Sequence, residues 1–173
     1  MRGLELDANA ALGRRFSIYA SAAFTDGKYV SFTDAPAPLE ETGGPQAKDV
    51  SGTDLPGISR AAISAGGEYA VNARPLGRDG QFFSALDTSY RSSFSSSASA
   101  STYLVVDGYS LVNARVGFRA SGGWTVSLWA RNLLGKDYFD LLSAAPGNTG
   151  LFVGQPGDPR TVGVTVRLAL TSR

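Results

Sequence analysis

With 173 residues, 16 Lys+Arg against 15 Asp+Glu and a net charge of +1, the chain has no overall charge with which to attract nucleic acid or an anionic lipid surface. It has no cysteine, which excludes a disulfide framework, a thiolate metal site and a thiol nucleophile. It has no histidine either, which removes the commonest general base and metal ligand. No stretch approaches the roughly 18 consecutive apolar residues of a membrane-spanning helix, which leaves open spanning strands of about 9–11 residues.

Seven segments alternate apolar and polar residues at period two, the pattern of strands with one apolar and one wet face. Residues 3–12 set Leu4, Leu6, Ala8, Ala10 and Leu12 against Glu5, Asp7 and Asn9. After a turn at Gly13-Arg14, residues 16–24 set Phe16, Ile18, Ala20, Ala22 and Phe24 against Ser17, Tyr19 and Ser21. Residues 58–71 set Ala61, Ile63, Ala65, Tyr69 and Val71 against Arg60, Ser64 and Glu68. Residues 81–91 are the weakest segment, with Phe82, Leu86 and Tyr90 sharing a face with Ser84 and Thr88, opposite Asp87 and Arg91.

Residues 112–118 set Val112, Ala114, Val116 and Phe118 against Asn113 and Arg115. Residues 124–131 set Trp124, Val126, Leu128 and Ala130 against Thr125, Ser127 and Arg131. The last segment, residues 161–170, sets Val162, Val164, Val166, Leu168 and Leu170 against Thr161, Gly163, Thr165 and Arg167.

The links between these segments alternate in length. Short ones at 13–14, 72–80 and 120–123 interleave with long ones at 31–57, 92–102 and 141–159. Short turns at one end and long loops at the other are the layout of an outer-membrane β-barrel. On that reading Phe16, Tyr69, Phe82, Phe118 and Trp124 lie on the apolar face near the short turns, as one aromatic girdle at a membrane interface. Arg60, Glu68, Asp87, Arg115, Arg131 and Arg167 then line a wet interior. A soluble or surface-exposed β-sandwich that binds a ligand through its loops is the alternative, in which the same charges face bulk water and a second sheet covers the apolar face.

Two loops stand out. Residues 92–102, rich in serine, read as a flexible connection. Residues 31–57 contain Pro36, Pro38 and Pro45 and an acidic excess, weak grounds for a divalent-cation site because no ligand-spaced motif accompanies it. No catalytic constellation is present: the serines have no histidine to activate them, and neither Gly-x-Ser-x-Gly nor a phosphate-binding glycine loop occurs. The chain is not expected to be an enzyme, and no metal or cofactor is implied. The aromatic loop residues Tyr29, Phe32, Phe94, Tyr103, Tyr138, Phe139 and Phe152 are the candidate ligand contacts, with loop packing as the plainer use of each.

Several segments match a known family in order. Residues Gly108-Tyr109-Ser110-Leu111-Val112-Asn113-Ala114-Arg115-Val116-Gly117-Phe118 resemble a "gY…lvNarvGyr" strand of TonB-dependent outer-membrane receptors. Trp124 to Tyr138, with Arg131-Asn132-Leu133-Leu134-Gly135-Lys136-Asp137-Tyr138, resembles their "NlfdkdY" strand and outward loop. Gly154-Gln155-Pro156-Gly157-Asp158-Pro159-Arg160-Thr161-Val162-Gly163 is similar to the closing "G.PRtvg" strand, and Arg2-Gly3-Leu4-Glu5-Leu6 and Asp26-Gly27-Lys28-Tyr29 to earlier strand ends.

The resemblance implies that residues 1–173 are a single all-β domain, the C-terminal part of a roughly 22-stranded, plugged transporter barrel. It further implies location in the bacterial outer membrane, a small iron-complex ligand such as a ferric siderophore, and coupling to the TonB–ExbB–ExbD system. Expected partners are outer-membrane lipid, a plug domain and the remaining strands, with no nucleic acid. No signal segment, TonB box or plug is read in the chain. The run Leu168-Ala169-Leu170-Thr171-Ser172-Arg173 departs from the family's terminal aromatic. Seven strands are also an odd number and fewer than the 8 or more of single-chain bacterial barrels, so a partial barrel is expected.

Overall fold

A computed structural model describes residues 1–147 and 150–169, so Leu170 and the terminal departure lie outside the described residues. The strands in chain order are β1 (Arg2–Leu12), β2 (Phe16–Asp26), β3 (Ala35–Pro36), β4 (Ala47–Lys48), β5 (Ala61–Ala73), β6 (Gly80–Arg91), β7 (Phe94–Ser95), β8 (Val105–Val106), β9 (Tyr109–Ala120), β10 (Trp124–Arg131), β11 (Phe139–Ala144), β12 (Phe152–Pro156) and β13 (Thr161–Leu168). Seven of them form one antiparallel sheet in the order β1-β2-β5-β6-β9-β10-β13. The other six pair off as two-stranded ribbons inside the three long loops: β3-β4, β7-β8 and β11-β12.

Register keeps every apolar set on one face, because pairing in antiparallel strands preserves side and a one-residue slip would invert it. Leu4 pairs with Phe24, Ile63 with Ala22 and Tyr90, Phe82 with Phe118, and Leu128 with Val116 and Val164. No second sheet covers this face among the described residues; Leu128 is 55% exposed and Val164 66% exposed. In a sandwich this face would be buried against a second sheet.

The aromatics near the short turns do not occupy one register row. Phe16 and Tyr69 are direct partners, Phe82 and Phe118 are direct partners one pleat nearer the turns, and Trp124 lies one pleat further. Across four strand intervals, about 19 Å, the line slips by about 14 Å along the strands, an inclination of about 35°. Strands of closed membrane barrels tilt by about 35–45°, so a line level with the membrane crosses such a sheet at this angle. Phe24 on β2 and Tyr90 on β6 fall on a second line of the same slope. The two lines are about 22 Å apart along the barrel axis, close to the roughly 25 Å apolar band of such barrels.

Beyond small shifts at strand ends, such as β9 running from Tyr109 to Ala120 instead of over residues 112–118, three features differ from the sequence expectation. Strand β5 starts at Ala61 rather than at residue 58, because Arg60 is drawn into the preceding loop by Asp54, 3.1 Å away. The serine-rich segment adopts a defined ribbon instead of an open linker: the Ser95 hydroxyl donates to the Ser97 carbonyl, Ser97 and Ser99 share a hydrogen bond at 2.8 Å, and Ser99 and Ser101 are buried. The third long loop begins at Asn132, well before residue 141. Its buried side chain takes a left-handed backbone (φ 46) and bonds the Lys136 amide and the Lys136 and Asp158 carbonyls, tying both ends of the loop together.

Candidate functional site

The wet face is built by period two alone. Tyr19, Glu68, Asp87, Arg115, Arg119, Trp129 and Arg167 are all brought to the same side of the sheet by its pairing. At its centre the Glu68 carboxylate accepts a hydrogen bond from Arg119 at 2.6 Å and pairs with Arg115 at 3.5 Å. Both guanidinium groups lie over the ring of Phe83, at 4.1 Å for Arg119 and 5.3 Å for Arg115. Stacking on an aromatic face is a use of arginine that lysine does not match.

Glycines make this packing possible. In register, Tyr19 on β2 faces Gly66 on β5, which faces Asp87 on β6. With no Cβ at Gly66, the Tyr19 ring crosses the intervening strand and its hydroxyl donates to Asp87 at 2.6 Å. Phe83 lies over Gly117 in the same way. Trp129 lies over Gly163, and its indole N–H donates to the Thr165 hydroxyl at 3.0 Å.

The result is a shallow concavity of about 650 Å³ walled by Phe83, Trp129 and the four arginines 115, 119, 131 and 167. Arg115 and Arg119 share Glu68, and Asp87 is engaged by Tyr19. Arg131 and Arg167 make no ion pair among the described residues. Chemically, the wall presents two guanidinium groups for an anion beside an indole face. Arg60 sits apart, at the loop end of β5 on Asp54.

Sequence reasoning missed Arg119, Phe83 and the reach of Tyr19. Arg119 is four residues beyond Arg115 and so on its face, and Phe83 shares the parity of Asp87; both follow from counting by two. The role of Tyr19 depends on Gly66 of another strand and has no local signal.

The candidate loop aromatics do not gather into one cluster. Tyr29 and Phe32 pack together with ring centroids 5.0 Å apart. Phe94 is buried beneath the Arg91 guanidinium at 3.8 Å. Tyr103 of the second loop stacks on Phe152 of the third at 5.3 Å, and Phe139 covers Gly154 within its own ribbon. Tyr138 packs against Tyr109 of β9 at 4.3 Å, at the edge of a cavity of about 650 Å³ between the second and third loops. Burial and the nearby Asp140 raise the Tyr138 phenol above its ordinary value, so it stays a neutral donor. The girdle residues Phe16, Tyr69, Phe82, Phe118 and Trp124 share the apolar face, with Phe118 in contact with both Phe82 and Trp124. In the acidic first loop, Glu41 pairs with Lys48 and Asp54 with Arg60. Among the described residues no group of three or more acidic side chains is placed to hold a metal ion.

The three loops are docked on one another. Glu40 accepts hydrogen bonds from the Ser101 hydroxyl (3.0 Å) and the Thr102 amide (2.8 Å), and the Leu142 amide donates to Ser96 at 3.2 Å. Loss of water around Glu40 opposes its charge, but the hydrogen bonds from its own backbone, Ser101 and Thr102 outweigh this and hold its pKa below the ordinary 4.5. A depressed carboxylate stabilises the docked state at pH above its free value and loses that contribution as pH falls through the depressed one. In the complete barrel, protection of the Thr102 amide relative to its intrinsic exchange rate is therefore expected to hold at neutral pH and to be lost in acid, as the pH falls past the ordinary carboxylate value and through the lowered one. Glu40→Gln should lower it at neutral pH and flatten the pH dependence; unchanged protection would mean that Glu40 does not hold the loops.

The family description "TonB dependent receptor-like, beta-barrel" matches residues 1–133. Among solved structures, the ferric yersiniabactin uptake receptor FyuA from Yersinia pestis aligns over 96% of this chain and 23% of its own, with TM-score 0.71 and 16% identity. The siderophore receptor PiuA from Acinetobacter baumannii aligns over 95% of this chain and 21% of its own, with TM-score 0.64 and 14% identity. No curated protein sequence matches the chain.

Proposed function

Because the chain belongs to the TonB dependent receptor-like β-barrel family, a family of outer-membrane receptors rather than enzymes, we propose that it forms a seven-strand sector of the wall of a siderophore receptor. In this reading residues 1–173 act as one barrel segment, completed by further strands and a plug domain and driven through the TonB–ExbB–ExbD system. The aligned structures, a ferric yersiniabactin uptake receptor and a siderophore receptor, support the ligand class.

The observation that carries the proposal is the cationic wet face, where Arg131 and Arg167 stand uncompensated beside Trp129. Arg115 and Arg119 are balanced in part by Glu68, and Asp87 also lines the concavity, but the four arginines leave it net positive; such a surface concentrates a counter-charged ligand and speeds its capture by about 10-fold or more. Arg131→Gln with Arg167→Gln in the complete receptor should therefore slow uptake of an anionic ferric siderophore by about tenfold while the folded amount is unchanged. If deleting the receptor leaves growth on every ferric siderophore intact, the ligand class is wrong while the barrel stands.

A further inference from the structure

We propose that the short-turn edge of the sheet is a binding rim for anionic phospholipid headgroups. The proposal rests on the barrel reading and adds a ligand to a part of it that has none. The net charge of +1 conceals a strong division. The short turns carry Arg14, Arg15, Arg74 and Arg78 against one acid, Asp79, which Arg74 pairs at 3.4 Å. The three long loops together carry more acidic than basic residues. All four arginines are exposed, and Arg14, Arg15 and Arg78 make no ion pair among the described residues.

Register fixes their height. The inner aromatic line passes through Phe16 and Tyr69 and then Phe82, so Arg14 and Arg15 follow it directly. Ala73 and Gly80, which flank the second turn, pair with each other one pleat beyond Val71 and Phe82. The arginines thus stand about 5–10 Å outside the aromatic line, and the polar headgroup layer on each side of a bilayer is about 5–7 Å deep. Aromatic side chains settle at the inner edge of that layer, which puts the turn arginines level with the phosphates; Arg14 and Arg78 are the ones on the apolar side, whereas Arg74 lines a hollow with Gln81 and Arg119 of the wet face. Planar guanidinium groups bind phosphate oxygens in pairs. Between Arg74 and Arg78, Leu76 is fully exposed in a left-handed backbone (φ 51), held there by the Arg78 amide on the Pro75 carbonyl and the Arg74 Nε on the Gly77 carbonyl.

The test uses the complete receptor in phosphatidylcholine vesicles with and without phosphatidylglycerol, read by the temperature at which its heat-modifiable gel band is lost. Phosphatidylglycerol should raise that temperature, and high salt should shrink the shift. The quadruple variant Arg14→Gln, Arg15→Gln, Arg74→Gln, Arg78→Gln should lose the shift, and the four Arg→Lys changes should keep most of it. Each protein is compared with itself in two lipids, so a variant of lower stability remains readable. Should the quadruple variant not fold, the Arg14/Arg15 and Arg74/Arg78 pairs made separately should each remove part of the shift. Inorganic phosphate added to phosphatidylcholine vesicles should not reproduce it. An equal shift in wild type and Gln variant, or none in wild type, overturns the proposal, the second result pointing to an acidic periplasmic protein as occupant if the Gln changes still impair uptake. Quenching of Trp124 by brominated lipid in the same vesicles reports the barrel reading separately.

Discussion

Val164→Arg is expected to strip most of the folded barrel from the membrane, whereas Thr165→Arg leaves it largely folded. The two residues are neighbours on β13 and therefore point to opposite faces. Val164 is paired with Leu128 and 66% exposed on the apolar face. Extended across the sheet, the inner and outer aromatic lines pass about equally far from Val164 on either side, which places it near the bilayer midplane. An arginine there costs about 2–4 kcal/mol, which at about 1.4 kcal/mol per decade lowers the folded-to-unfolded ratio about 30-fold at the lower end and several hundred-fold at the upper. Thr165 faces the wet side and loses only the hydrogen bond from Trp129, roughly 1 kcal/mol. Heat-modifiable gel mobility of the complete receptor reads both. A silent Val164→Arg with a non-folding Thr165→Arg would mean that the faces are inverted.

Gly117→Ala is the other large expected effect. A Cβ at this position would collide with the Val126 carbonyl oxygen and stand 2.8 Å from both the Phe83 ring and the Ser127 Cβ. Backbone on the neighbouring strand cannot swing aside as a side-chain tip can, so overpacking of about 1–3 kcal/mol is expected. Displacing Phe83 also disturbs the aromatic floor beneath Arg115 and Arg119. Gly122→Ala, in a turn where nothing lies within 4 Å of the added carbon, is the matched control and should be close to neutral. Equal melting of the two variants would show that the ring does not lie over Gly117 as described.

How far the sequence carries these arguments depends on the range of the interaction. The seven strands and their two faces were legible because burial on one side writes a period-two code into each strand, and even the weak segment of residues 81–91 kept its parity through Phe82, Leu86 and Tyr90. Parity would also have supplied Arg119 and Phe83, had the count been carried past Phe118 and through the paired phenylalanines. The Tyr19–Asp87 bond was not legible, since it depends on a glycine 47 positions along the chain from Tyr19. Nor was the docking of the loops: a single carboxylate, Glu40, meets a serine and an amide 61 and 62 residues away, with no repeat to announce the meeting. The serine-rich loop misled for a related reason. Composition suggests flexibility, but these short hydroxyl side chains cap one another's backbone and bury Ser99 and Ser101.

The central claim is that the apolar face of this sheet meets lipid and the charged face meets water. Single-tryptophan versions of the complete receptor, keeping either Trp124 or Trp129, test it by fluorescence quenching with lipids brominated at graded depths. Trp124 belongs to the inner aromatic line, whereas Trp129 lies on the opposite face against Gly163 and Thr165. Strong quenching of Trp124, greatest with bromines near the headgroups, and little quenching of Trp129 at any depth is the predicted result. Equal quenching of the two, or stronger quenching of Trp129, would contradict it.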